Sequence, residues 1–517
     1  MEFRFNLIDE PWLPIVSTDS SKQEKNLLEI LLDSHRISYL DIGYPHMNAA
    51  ILRLLLAILY RSFTMKNVDD WQELWERKRF DPVPLRNYLE KWRERFDLFH
   101  ESFPFYQNQH PEVSKKPANE LLYQIAGGNH ETLFNHDVED RPISLSPKQA
   151  AQMLITAQAF SLGGLCNPSL KLTYTDAPSS RGMVFFLQGE NLFESLMLNL
   201  VPYNETAPIK WKRGAEDLPA WEMENPYEPD RIAPNGYLDY LTWQNRKIML
   251  FPRSDAGITV VDRITSAPGL RMTDDQVNPM YLYRIDSKQT AKQSPYKVAR
   301  FTEGKALWRD SSAIFGAEEG KARHPKSFVW AENLIGDGVI PKRRLSVAAF
   351  GMSTEPGKQK VNFYRGEQFF FPDQLMVDGD LANKLQEALD LAELYRKQLW
   401  GAASRFAGLI LSPDMDLKGG RNPDSKDVGK LIDYWNPERT FWGVLEIAFY
   451  QFLDALADHP EEALTRWKGD LKSAGKKAFD RIVSLNGSDA RALKAGVKAR
   501  VQFFAGIKKI NGQANEE

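Results

Sequence analysis

Leu345–Pro372 reads LSVAAFGMSTEPGKQKVNFYRGEQFFFP, and the pattern of the chain changes soon after it. Two apolar, strand-like runs flank a polar tip, Ser353–Lys360. Glu355-Pro356-Gly357-Lys358 places Pro and Gly where a type II turn wants them. Two-residue hairpins favour the mirror-image turns, so the tip is expected as a longer, projecting loop. In Leu381–Phe406, LANKLQEALDLAELYRKQLWGAASRF, apolar residues recur three and four apart, the spacing of an amphipathic helix. The chain of 517 residues is too long for one compact core. The expected fold class is α+β: a large mixed domain over residues 1–375, then a four-helix bundle over residues 376–517.

Beyond Phe406 the periodicity predicts a short helix at Ser425–Trp435 and long ones at Arg439–Asp458, Glu461–Leu485 and Asp489–Lys509. Short connections between them favour a bundle. Upstream, Phe3–Ile8 alternates like a strand, and Leu27–Leu32 and Met47–Phe63 read as helices, with Arg53 and Arg61 assigned to solvent. Trp71–Arg79 and Leu85–Phe96 read as charged helices. Ser146 and Pro147 are a start signal for a helix at Pro147–Phe160, which Gly163-Gly164 breaks. Gly236–Leu250 reads as a strand pair, regularity weakens over Val261–Ser294, and Phe328–Ile340 interleaves aromatics with polar turns.

Net charge is −3, so the chain lacks the general basic excess of a free-standing nucleic-acid binder. Any such contact has to come from local patches or from a partner that supplies the cationic field. The single cysteine, Cys166, excludes an intramolecular disulfide and a multi-cysteine zinc site, and suits a reducing compartment. Met1–Arg4 shows no signal-peptide pattern, and the most apolar run, Ala49–Tyr60, is too short to span a bilayer. A cytoplasmic location without membrane contact is expected.

No GxxxxGK[ST], HExxH or GxSxG occurs, and no cofactor is expected. His136-Asp137 is the one His-Asp step, and it admits a metal-dependent nuclease. It sits in the expected loop Glu131–Arg141, where Phe134, Asn135 and His136 also suit base stacking and hydrogen bonding to single-stranded RNA. An aromatic that merely pins its own loop is the plainer alternative. The hairpin tip carries Lys358, Gln359 and Lys360, either a solvated loop or a cationic wedge for a duplex. Between Arg466 and Lys509 there are twelve Lys or Arg against three Asp. Lys472, Lys476, Arg491, Lys494, Lys498 and Arg500 are therefore candidates for one or two basic faces, suited to phosphate contact or simply to solvent. A scaffold binding protein alone is a third reading.

Several segments, taken in order, resemble the CasA family, the large subunit of type I-E CRISPR Cascade complexes. They are Asn6-Leu7-Ile8-Asp9 with Trp12-Leu13-Pro14, then Phe103–Gln107, Leu133–His136 and Ala159–Gly164. Gly236-Tyr237-Leu238, Leu241–Gln244, Arg246-Lys247-Ile248, the hairpin Ala349–Arg365 and the helical C-terminal region complete the set. The resemblance implies a non-catalytic subunit that docks on a guide-RNA complex and inspects double-stranded DNA for a protospacer-adjacent motif (PAM). It further implies duplex opening to start an R-loop, and help in recruiting a separate helicase–nuclease. The family's wedge glutamine then falls on Gln359 between Lys358 and Lys360, and its minor-groove glycine loop on Gly163-Gly164. Phe134, Asn135 and His136 match the loop that docks on the guide complex, and the basic bundle would touch displaced strand or neighbouring subunits. Two departures stand out. The glycine loop is thin, which brings in Leu162 or Asn167, and the family's minor-groove lysine falls on Pro279, with Arg271, Arg284 and Lys288 as neighbours.

Overall fold

The computed structural model describes residues 3–121, 143–167, 169–228, 231–273, 276–285, 296–315, 322–341, 343–354, 361–487 and 489–513. These form two compact units. The first comprises Met1–Leu307 and Glu318–Phe369, and the second comprises Trp308–Ala317 and Phe370–Glu517. The fold is mixed helix and sheet, with the helices of the second unit at the C-terminal end.

The first unit is organised around the helix Pro45–Ser62, which is buried along most of its length. Arg53, expected in solvent, is one of the most deeply buried side chains of the chain. It donates to the carbonyls of Tyr240 (2.8 Å) and Leu241 (3.3 Å), at the C-terminal end of the short helix Tyr237–Leu241. Those carbonyls carry the negative end of the helix dipole and have no partner within the helix, so a cation there is favoured. Arg61, also expected in solvent, is half-buried and grips Glu222 through two bonds of 2.7 Å.

Small antiparallel sheets surround this helix. Leu13–Ser17 pairs with both Lys22–Lys25 and Ile37–Leu40. Phe3–Ile8 is not a strand and contributes only an isolated bridge, Asn6 to Asp97. The side chain of Asn6 accepts the Ile8 N–H at 2.9 Å, which turns the backbone away from a ladder. Gly236–Leu250 is likewise not a strand pair. Its first half is the Tyr237–Leu241 helix, whose backbone N–H groups at Leu238 and Asp239 are capped by the Asp217 carboxylate at 2.9 Å. Its second half begins the strand Arg246–Asp255, which pairs with Ile258–Pro268 through a two-residue turn, Ala256-Gly257. Both turn residues have positive φ, 48° and 85°, as a type I′ hairpin needs. Phe328–Ile340 also departs from expectation, since Lys326–Gly336 is a helix.

The hairpin has its expected arms, and its tip, residues 355–360, lies outside the described residues. Arg344–Thr354 is the central strand of a three-stranded sheet, flanked by Val184–Gln188 and Val361–Pro372.

In the second unit, Gly379–Leu411 packs against Pro437–Leu456, Pro460–Leu485 and Ala490–Gln513, with the shorter Ser425–Trp435 beside it. Asp378, Asp424 and Asn436 cap three of these helices through their side chains. Asn436, at φ 43°, ends one helix and starts the next. Aromatic side chains fill the interior. Trp467 donates to the Ala388 carbonyl at 2.8 Å, and Trp308 stacks on Phe449 at 4.5 Å. A Cβ at Gly475 would lie 2.5 Å from the Phe503 ring, so only glycine admits that ring. Among the described residues, no helix is long and apolar enough to cross a membrane.

Candidate nucleic-acid interface

The turn at Gly163-Gly164 follows the helix Pro147–Phe160, whose start is a capping box. Ser146 accepts the Gln149 N–H, and Gln149 accepts the Ser146 N–H at 3.0 Å. The helix ends at the buried Ser161, and the chain passes into a small hairpin, Gly164–Asn167 paired with Leu172–Tyr174. Gly164 has φ 151°, a backbone region that side chains rarely adopt. A Cβ at Gly163 would lie 3.1 Å from the Tyr174 carbonyl oxygen and the Asp176 nitrogen. The two glycines thus answer different demands: one conformation, the other close approach.

Three polar side chains hold this turn. Buried Arg246 donates to Leu162 O at 2.8 Å and Thr175 O at 2.9 Å, one carbonyl on each side of the turn, and lies 4.3 Å over the Tyr174 ring. Its own backbone is fixed by Gln158, which accepts the Arg246 N–H at 2.8 Å and donates to the Arg246 carbonyl at 2.9 Å. No carboxylate forms an ion pair with Arg246 among the described residues, so its charge is dispersed over carbonyl oxygens. Asp176 accepts the Gly163 N–H at 2.6 Å. Arg181 binds the same carboxylate through Nε at 2.6 Å and Nη2 at 2.9 Å. Its Nη1 reaches Thr354 Oγ1 at 3.0 Å.

Thr354 ends the strand that leads into the hairpin tip. The fold therefore brings together residues from 163 to 354 that the sequence reading treated as separate motifs. Asp176, Arg181 and Thr354 were not singled out there, because nothing local marks them; only the ladder and the turn, once built, place them in contact. A second junction joins the helix Pro45–Ser62 to the strand Val361–Pro372 and to the end of the helix Pro147–Phe160. His46 stacks on Tyr364 of the returning strand at 4.2 Å and meets Phe160 edge-on at 5.6 Å. Burial depresses the His46 imidazole to a pKa of about 3, so it is neutral at ordinary pH. Beside the turn, Leu165 and Lys171 are exposed, and Cys166 rests its Sγ 3.6 Å from Ser266 O. Asn167 accepts the Leu170 N–H at 3.1 Å and shapes the tip of this small hairpin. Pro279 is buried, whereas Arg271 is exposed.

Lys358, Gln359 and Lys360, and likewise Phe134, Asn135, His136 and Asp137, lie outside the described residues. Among the described residues, no group of three or more His, Cys, Asp and Glu is placed to hold a metal ion.

The six basic residues of the terminal helices separate into two groups. Lys476 and Arg500 both pair with Asp480. Lys498 pairs with Asp416 at 3.0 Å, and Arg491 donates to Ile410 O. Lys472 and Lys494 are exposed. Arg491, Lys494 and Lys498 share one face of the last helix, and Arg500 lies on the opposite side. An apolar stripe, Leu493, Val497 and Val501, runs beside Lys494 with 50%, 63% and 66% of each residue exposed.

Residues 6–478 match the family described as CRISPR-associated protein Cse1. A CasA/Cse1 protein from Thermus thermophilus is 30% identical, over 99% of this chain and 98% of the relative. The crystal structure of Cse1 from Acidimicrobium ferrooxidans superposes with a TM-score of 0.82 at 25% identity, covering 99% of each chain. That of Thermus thermophilus CasA gives 0.80 at 27% identity, over 98% of this chain and all of the other. A chain of a structure described as a CRISPR RNA-guided surveillance complex shares the fold, with a TM-score of 0.71 at 20% identity, over 97% and 99% of the two chains.

Proposed function

Because this chain belongs to the CRISPR-associated Cse1 (CasA) family, we propose that it is the non-catalytic large subunit of a type I-E RNA-guided surveillance complex. In this role it recognises a PAM in double-stranded DNA, opens the duplex to start an R-loop, and helps to recruit the helicase–nuclease. The observation that carries the reading is the junction of the glycine turn with the base of the hairpin through Asp176 and Arg181. Side-chain-free backbone at Gly163-Gly164 approaches the minor groove, where bases are poorly distinguished, so PAM reading is tolerant. The hairpin tip, with Gln359 between Lys358 and Lys360, enters beside the PAM. Unstacking one step costs on the order of a few kcal/mol, within reach of a single wedge plus guide pairing.

The other regions fit the same role. Phe134, Asn135 and His136 dock the subunit on the guide complex. The apolar stripe on the last helix faces neighbouring subunits, and Lys472 and Lys494 contact DNA phosphates without reading sequence. A net charge of −3 suits a subunit whose cationic field comes from the rest of the ribonucleoprotein.

The test is target binding by the assembled complex across PAM variants, with and without this chain. PAM discrimination should vanish when the chain is omitted. Gln359→Ala should slow opening of linear targets more than of negatively supercoiled ones, because supercoiling lowers the cost of opening. Equal losses on both would remove the wedge. DNA cleavage by the purified chain with divalent metal, lost in His136→Ala, would replace the reading with a nuclease.

A further inference from the structure

We propose that Arg181 is a positioning residue that sets the register between the glycine turn and the end of the strand Arg344–Thr354, so that a duplex seated on the turn is held in a fixed relation to that strand. This rests on the duplex-opening reading above. The guanidinium uses its planar fork on two segments at once. Two donors hold the Asp176 carboxylate at 2.6 and 2.9 Å, and a third holds Thr354 Oγ1 at 3.0 Å. Asp176 also accepts the Gly163 N–H, so one carboxylate is shared between the turn and the arginine. The relay from Gly163 to Thr354 thus runs through direct hydrogen bonds alone. The turn has no slack on this side, because it already lies flush against Tyr174 and Asp176.

The pair's exposure separates positioning from mere support. The Arg181 and Asp176 side chains are 22% and 39% exposed. Ion pairs in such surroundings add little to stability, so this one contributes little to holding the fold. Its geometry has a larger lever. Displacing a reacting group by about 1 Å can cost on the order of 100-fold in rate. A lysine at 181 would keep the charge but, as a point charge, would lose the fork that reaches both partners.

The experiment uses the assembled complex and two linear targets. One is fully paired, with 2-aminopurine at the first pair beside the PAM, and the other is pre-opened there by mismatches. Thr354→Val removes a single acceptor at nearly constant volume. It should slow opening of the paired target about tenfold, the worth of one hydrogen bond to a charged group, and leave affinity for the pre-opened target within about twofold. Arg181→Lys should behave in the same way, and Thr354→Ser should restore the wild-type rate. Unchanged opening in Thr354→Val, with Gln359→Ala still slow, would overturn the positioning role and leave the wedge intact. Equal loss on both targets, with a lowered melting temperature, would overturn it in favour of plain structural support. If complexes with and without the chain open the paired target alike, the duplex-opening reading itself fails.

Discussion

Around the glycine turn each arginine holds named acceptors in fixed directions: Arg246 on Leu162 and Thr175, Arg181 on Asp176 and Thr354. On the helical unit the cations share acceptors instead. Asp480 serves Lys476 and Arg500, and Asp416 serves Arg405 and Lys498. In the first region the Leu162 carbonyl is buried and the Thr175 carbonyl part-buried, and Arg246 serves both. In the second, water replaces any lost partner. The comparison teaches that charge count is a poor guide to how tightly a region fixes its cations. The turn with few cations is geometrically exacting, and the helices with many are electrostatically diffuse.

The sharpest way to break this contrast is Arg246→Met. It strands the buried Leu162 carbonyl and the part-buried Thr175 carbonyl and should cost about 3 kcal/mol, read as a fall in the denaturation midpoint of the purified protein. A cost as small as that of a surface substitution would show that the turn is self-supporting.

The next effect is tied to pH. His46 is neutral in the fold, with its pKa depressed from 6.5 to about 3 by burial. Its contribution is therefore complete above pH 6.5 and is lost as pH falls toward 3. Between pH 7 and 5 the wild type should lose roughly 2 kcal/mol that His46→Phe does not lose, measured as the difference between their unfolding free energies. Parallel pH profiles for the two proteins would place the acid sensitivity elsewhere.

The smallest expected effect lies on the helices. Lys472→Ala with Lys494→Ala should leave the melting temperature within about 2 °C. The same pair should lower the salt slope of DNA binding by up to about 2, if both meet phosphates in the complex. A large loss of stability would make the helical cations as exacting as those of the turn.

Sequence reading succeeded where the determinants are local. Ser146 and Pro147 announce the helix Pro147–Phe160 to the residue, and the periodicity places Ser425–Trp435 at its observed bounds. The hairpin arms, the change to helical periodicity after Pro372 and the glycine break were legible for the same reason. It failed where a partner far along the chain decides. Arg53 looks like a solvent position within its own helix and is buried because carbonyls nearly 190 residues away need it. Gly236–Leu250 has strand-like composition, but Asp217 caps its first half into a helix. Of the candidate interface, the two glycines were visible as breakers. Asp176, Arg181 and Thr354 are ordinary polar residues until the fold makes them neighbours.

Cys166 is the sole thiol of the chain and lies two residues beyond the glycine turn, half-buried against Ser266. The protein thus carries a ready-made attachment point at its candidate interface, with no competing sulfhydryl to remove. The rate at which a maleimide dye labels it, with and without duplex, tests whether DNA covers the turn. If the turn meets DNA as proposed, the attached dye reports its arrival.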